Sequence, residues 1–462
     1  MEKLFKVSAI TLAIIGFIAS TPVSANDPLG PEYAKQASKF FADSTISGSV
    51  AFWMRARDRA GYDETDREDT KKQTNLDHGS IFANLGFHSG YIGETVGLDA
   101  VIYSTFDMWQ NGGADHEMNF WGVNNPYDKE PSNDSCEAVW SDCTDNGASF
   151  STATLKFKFG ESGSAKLGYF QPSVPTSLGV NWTFAPGTYR GGEIGYEFGA
   201  LNVGLVIADE YKAPWFKNTY GFRTTDGEDA GTVYSVGANY VLDSGTILDF
   251  GYGGLTDGDR KNLHIKVKNT TDNGLYLSPQ LYIVDDSEQY NNTAFQLALI
   301  SSQTFGQYSF RADMIYTDAE SKDKNSVGNM SYRLTSEYGG SNGAYDVWWN
   351  NRSDFNHDGE LAGFLSATRD FSDIGGEGFS AGISAAAGAG AKANGYKELV
   401  EYAYSLFANY AIQEGALKDA NISMHYTQFY NESDAGDWAP YSNAFNDETD
   451  FKLILSMPFS VK

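Results

Sequence analysis

The sequence predicts an all-β protein, a transmembrane antiparallel β-barrel of about 18 strands. Alternation in one strand-length segment, its recurrence to the last residues, and a secretory leader ahead of it all point there. In Thr45–Arg59 the odd positions read Thr45, Ser47, Ser49, Ala51, Trp53, Arg55, Arg57, Arg59. The even ones read Ile46, Gly48, Val50, Phe52, Met54, Ala56 before Asp58 breaks the pattern. A strand sends successive side chains to opposite faces, so this segment has a greasy face and a wet, cationic one. Lipid outside and water inside satisfy both, which implies a channel through an outer membrane.

The leader comes first in the chain. Lys3 and Lys6 precede an apolar stretch from Val7 to Ser20, and Val23-Ser24-Ala25 is a small-residue cleavage site. Residues 1–25 therefore read as a signal peptide and residues 26–462 as the barrel. No later apolar run reaches the roughly 18 residues a membrane helix needs. Mean hydropathy is −0.39, because alternation hides a lipid face from averaging.

Composition agrees. Aromatic residues make up 15% of the chain, and barrels use them in two interfacial girdles. There are 49 Gly and only 12 Pro, which suits twisted strands joined by tight turns. A net charge of −27 excludes nucleic acid as a partner, since phosphate contacts need Lys and Arg. Much of the acid falls in loops, Asp63 to Asp69 and Asp434 to Asp450, and suggests a cation-attracting vestibule. Cys136 and Cys143, an even pair close in sequence in an exported chain, read as a local disulfide. Two cysteines without nearby His are too few for zinc, and no cofactor is implied.

The predicted strands run in order from Thr45–Arg59 through Ser80–Ser89, Thr95–Phe106, Thr152–Phe159, Ala165–Gln171, Thr188–Phe198 and Leu201–Tyr211. Val233–Leu242, Thr246–Leu255, Leu263–Thr270, Leu275–Val284, Thr293–Thr304 and Tyr308–Thr317 follow. Glu360–Phe371, Phe379–Gly388, Tyr404–Ile412, Ala420–Phe429 and Thr449–Val461 complete the set. Tight turns such as Thr271-Asp272-Asn273-Gly274 and Phe305-Gly306-Gln307 carry the Gly and Asn that hairpins require. Connections after even-numbered strands are short, as expected when both chain ends lie in the periplasm. Counting Tyr345–Asn350 as a strand would break that parity, so Trp348 to Asp358 belongs to a large external loop. Phe52, Met54, Leu155, Phe157, Phe310, Met314, Leu453 and Leu455 should then face lipid. Arg311 and Asp313 alternate with Phe310, Ala312 and Met314, so they should face the channel with Arg55, Arg57 and Arg59.

Three segments carry a family resemblance: Phe41–Thr45 leading into Trp53–Arg59, then Asp209–Trp215, then Asp346–Asn356. They resemble the OprD family of substrate-selective porins, and most closely its chitoporin branch. The resemblance implies a monomeric 18-stranded barrel in outer-membrane lipid and lipopolysaccharide, with long extracellular loops folding into the pore. It also implies an arginine ladder on the lumen wall and passage of chitooligosaccharides. The strong acidity sets this chain apart from family members that take carboxylates and suits a neutral N-acetylated sugar.

Residue chemistry fits a sugar path, because aromatic faces stack on pyranose rings while charged and amide groups bond their rims. Trp53 beside Arg55 and Arg57 offers both kinds, as do Trp348 and Trp349 beside Asn350, Arg352 and Asp354. The competing reading places these tryptophans in an interfacial girdle. Asp354-Phe355-Asn356-His357-Asp358-Gly359 matches half of a calcium loop, but Leu365 stands where a bidentate Glu is needed, so it reads as a polar turn and not a metal site. Six scattered histidines and no nucleophile elbow argue against an enzyme. The alternative channel is a general or OprD-like porin for amino acids, peptides or other sugars.

Overall fold

The computed structural model describes residues 39–59, 76–112, 147–216, 218–323, 327–336, 339–351, 355–391, 398–432 and 447–461. Residues 1–25, expected to be a signal peptide, and Cys136, Cys143, Arg352 and Asp354 lie outside that set, and at Arg59 only the backbone belongs to it.

Eighteen strands close into one antiparallel barrel. They are β1 (Thr45–Arg59), β2 (Leu76–His88), β3 (Val96–Gly112), β4 (Gly147–Phe159), β5 (Gly163–Phe170), β6 (Thr188–Phe198) and β7 (Leu201–Lys212). A two-residue ribbon, β8 (Tyr220–Gly221), pairs only with β7 and stands outside the wall. The wall continues with β9 (Val233–Val241), β10 (Ile247–Leu255), β11 (Lys261–Thr270), β12 (Tyr276–Asp285), β13 (Ala294–Phe305) and β14 (Tyr308–Asp318). It ends with β15 (Leu361–Asp370), β16 (Phe379–Ala389), β17 (Val400–Ala411), β18 (Asn421–Asn431) and β19 (Glu448–Ser460). Pairing of β1 with β19 closes the cylinder, so no wall strand is left with an open edge.

The predicted strand count holds, and Tyr345–Asn350 stays out of the wall. Tight turns join β11 to β12 and β13 to β14, where Gly274 (φ 80°) and Gly306 (φ 58°) take the left-handed backbone that such turns demand. Long connections lie at the opposite, extracellular end.

Alternation sorts each strand as the sequence implies. Along β17, Glu401, Ala403 and Ser405 are buried while Val400, Tyr402, Tyr404 and Leu406 are exposed. Along β14, Asp313, Ile315 and Thr317 turn inward while Phe310 and Met314 stand on the outer face. Leu155 is exposed on β4. Across the closing seam Phe52 pairs with Leu455 and Met54 with Leu453, on the face opposite Arg55. Outer aromatics gather near strand ends, as with Tyr402 stacked on Tyr430 at 5.1 Å.

Lipid contact gives this sorting its energetic edge. Met314 lies near the middle of β14 and is 54% exposed. Met314→Arg should destabilise the barrel by about 2–4 kcal/mol, the cost of a cation at mid-bilayer. Guanidinium titration of protein folded in lipid vesicles measures this, and an unchanged midpoint would contradict the outward placement.

Candidate functional site

Two extracellular connections fold back into the lumen. Residues 171–187 join β5 to β6, and residues 319–360 join β14 to β15. They meet in a short ribbon, where Leu178 bridges Gly343, the Gly179 N–H donates to the Asn342 carbonyl at 3.0 Å, and the Ala344 N–H donates to the Ser177 carbonyl at 2.9 Å. Glycine permits this approach: a Cβ on Gly179 would come within 2.2 Å of the Gly343 carbonyl oxygen.

Lumen-facing cations hold the second connection, here termed the strap. Arg260 donates to the Arg333 and Ser331 carbonyls at 2.7 and 2.9 Å while pairing with Asp286 at 2.8 Å. Lys266 donates to the Ala344 carbonyl at 2.7 Å and pairs with Asp346 at 2.9 Å. Lys268 lies 3.1 Å from both Asp346 and Asp249. His264 bridges Tyr332 of the strap at 2.8 Å and Asp249 of the wall at 3.2 Å. Burial opposes the charge on Asp346, but Lys266 and Lys268 outweigh it and hold its carboxyl below the ordinary carboxylate range.

Over Val347 to Asn350 the side chains of the strap alternate. Val347 and Trp349 are buried against the wall, whereas Trp348 and Asn350 are exposed. The Trp349 indole N–H donates to Asp313 at 2.9 Å, and its ring stacks on Phe364 at 5.4 Å with an interplanar angle of 13°. Trp349 is thus a wall anchor, only 2% exposed, while Trp348 is 70% exposed. The expectation that both tryptophans offer stacking faces therefore fails at Trp349 and stays open at Trp348. Successive side chains of an extended segment point opposite ways, so only one can face the channel.

Other predicted residues lie on the inner face but not as a free ladder. Arg55 forms a bidentate pair with Asp450 at 2.8 and 3.0 Å, and Arg57 sits opposite Asp450 in the seam. Both arginines are buried. Arg311 pairs with Asp313 at 2.6 Å, and Arg311 with Trp349 covers that carboxylate. Asp313 therefore faces the lumen without reaching water. Trp53 meets Phe184 of the first connection edge-on at 4.3 Å, so that connection covers it. In the half-calcium loop Asn356 donates to the Met330 carbonyl and Asp358 accepts from the Ala319 N–H, which makes these two side chains turn-forming groups.

Sequence reasoning passed over Trp182, which is 68% exposed on the first connection, and the Lys266, Lys268 and Asp346 cluster. The lysines were legible as polar positions alternating with Ile265 and Val267. Trp182 carries no local signal beyond its residue type. Below the loops opens a cavity of about 1420 Å³, lined by Val174, Asn239, Asp249, Lys266, Lys268 and Asp346 among others. That exceeds the roughly 300–1,000 Å³ of a closed ligand pocket and suits a passage.

Residues 38–461 match the family described as outer membrane porin, OprD family. The chain belongs to the OprD family. A chitoporin from Escherichia coli (strain K12) is 34% identical, over 99% of this chain and 98% of that protein. Crystal structures of Pseudomonas aeruginosa OccK3 (OpdO) and OccK5 (OpdH) share the fold. OccK3 gives a TM-score of 0.69 at 16% identity, covering 93% of this chain and 99% of its own. OccK5 gives 0.67 at 18% identity, covering 92% and 99%. As an OprD-family porin the protein is a channel of the Gram-negative outer membrane, not an enzyme.

In this porin Asp346 and Asp249 together balance Lys266 and Lys268. Asp346→Asn should increase anion permeability, read as a reversal-potential shift in a potassium chloride gradient. Acidification should act in the same direction, because protonating Asp346 removes the carboxylate paired with Lys266 and leaves Asp249 alone to balance Lys268. The depressed pKa of Asp346 means the change sets in below the pH at which ordinary carboxylates titrate. Trp349→Ala should cost about 3–5 kcal/mol, as for a buried tryptophan, and raise open-channel noise by loosening the strap. A silent variant in both readouts would contradict the anchoring role.

Proposed function

We propose that this porin passes neutral N-acetylated sugars, the chitooligosaccharides, by diffusion through a monomeric barrel. One observation carries the reading: among the described residues most lumen cations are already paired with carboxylates, the buried Lys212 being an exception. Arg55, Lys156, Lys166, Arg260, Lys266, Lys268 and Arg311 each lie within 3.2 Å of a carboxylate. The two pairs buried on both sides, Arg55–Asp450 and Arg260–Asp286, resist separation most, because breaking one leaves an uncompensated charge at a cost of about 3–5 kcal/mol. Such a wall offers a carboxylate substrate few free positive charges, while it presents alternating donors and acceptors to hydroxyls and amides. The acidic surface and the identity with a chitoporin point the same way. Trp348 and Trp182 supply exposed ring faces on the two inward connections, with Asn350 beside Trp348. Arg352 and Asp354, expected from the sequence to join this set, follow Asn350 in the chain and lie outside the described residues.

Single-channel recording tests the reading. Chitohexaose should block ion flow briefly and reversibly, since a channel must release what it binds, and maltohexaose should block rarely or not at all. Trp348→Ala should shorten the blockades, with a stacking loss on the order of 1 kcal/mol corresponding to roughly fivefold faster release. Closures in one step, and not in three, mark a monomer. Equal blockade by both sugars would favour a general porin instead.

A further inference from the structure

Where the strap rejoins the wall, three ionisable side chains converge out of contact with solvent. His357 and Glu360 come from the end of the strap and Glu401 from the inner face of β17. His357 Nδ1 lies 3.0 Å from Glu360 Oε2 and 3.4 Å from Glu401 Oε1, and one ligand atom from each residue lies within 4.8 Å of the others. His357 and Glu360 are fully buried and Glu401 is 2% exposed. Two buried carboxylate oxygens, Glu360 Oε1 and Glu401 Oε1, accept no hydrogen bond, and the Glu401 oxygen is the one directed at the imidazole.

Charge is the difficulty this cluster presents. Among the described residues His357 is the sole cation in ion-pair contact with either carboxylate. With both carboxyls ionised, one imidazolium would leave a net negative charge in an apolar setting, where Phe355 and Phe429 are each 1% exposed, so the cluster must either take up a proton or bind a cation. A divalent cation with two carboxylates and a neutral imidazole sums to zero and gives the orphaned oxygens a partner. One imidazole nitrogen with two carboxylate oxygens is a donor set suited to zinc, whereas calcium and magnesium prefer oxygen alone.

We propose that His357, Glu360 and Glu401 bind one zinc-type divalent cation that ties the end of the strap to β17. The ion crosslinks the inward connection to the barrel wall, so it should steady the constriction. This is independent of which substrate the channel passes.

The test uses the whole folded porin in detergent, stripped with a chelator, loaded with zinc chloride and dialysed. Elemental analysis should find one zinc per barrel, calorimetry should give submicromolar affinity, and 1 mM calcium or magnesium should not displace the metal. Glu401→Gln and His357→Gln should each weaken binding more than tenfold while keeping the heat-shifted gel mobility of a folded barrel. Failure of the folded wild type to retain zinc would overturn the site, leaving the carboxylates to share protons. Equal retention by both variants would assign the metal to surface histidines. Should neither variant fold, zinc-edge X-ray absorption of the wild type decides. One imidazole per zinc is expected, and several would overturn the assignment.

Discussion

Hydrocarbon offers no partner to a backbone N–H or C=O, and most of this molecule follows from that constraint. Each unsatisfied group at membrane depth costs several kcal/mol, so a sheet can cross only if its last strand pairs with its first. Residues Thr45–Arg59 and Glu448–Ser460 make that pairing. Once the sheet is closed, period-two alternation has a single interpretation, and each wall residue is assigned to lipid or lumen by parity. A one-residue slip would place Arg55 in lipid and Phe52 in water, so register and closure reinforce each other.

Inside, the difficulty reverses: polar groups are abundant, and many are shut off from solvent where the connections pack on the wall. The structure meets it with ion pairs that also serve as mounts. Asp346 pairs with Lys266 and Lys268, and in doing so positions the segment that carries Trp348. Asp313 balances Arg311 and accepts the Trp349 N–H. The same contacts therefore set the shape of the constriction and its electrostatic character. An arginine row that looks cationic in sequence becomes, at Arg55 and Arg57, a buried arrangement around Asp450.

How much of this was legible depends on the range of the contact. Strands were legible, because alternation is local, and Thr45–Arg59 and Thr188–Phe198 match the predicted spans residue for residue. The two-residue ribbon Tyr220–Gly221 has no periodicity to read. The Arg55–Asp450 pair joins residues 395 apart, and no pattern in either segment announces the other. The split between Trp348 and Trp349 was available in principle, since an extended segment cannot direct neighbouring side chains to one side. Exposure of Trp182 and convergence of Glu401 on His357 arise only when separate elements are placed in space.

The closing seam also sets a clock. Loop closure over nearly the whole chain must precede the contacts that reward it, and such non-local pairing is slow. Until the segment from Glu448 arrives, the first strand keeps an unpaired edge, a template for joining another chain. Export and assembly of this polypeptide thus include an interval of vulnerability to proteolysis and aggregation that ends only when Glu448–Ser460 pairs with the first strand. Truncations near the carboxyl terminus should be far more damaging than their small share of the barrel wall suggests.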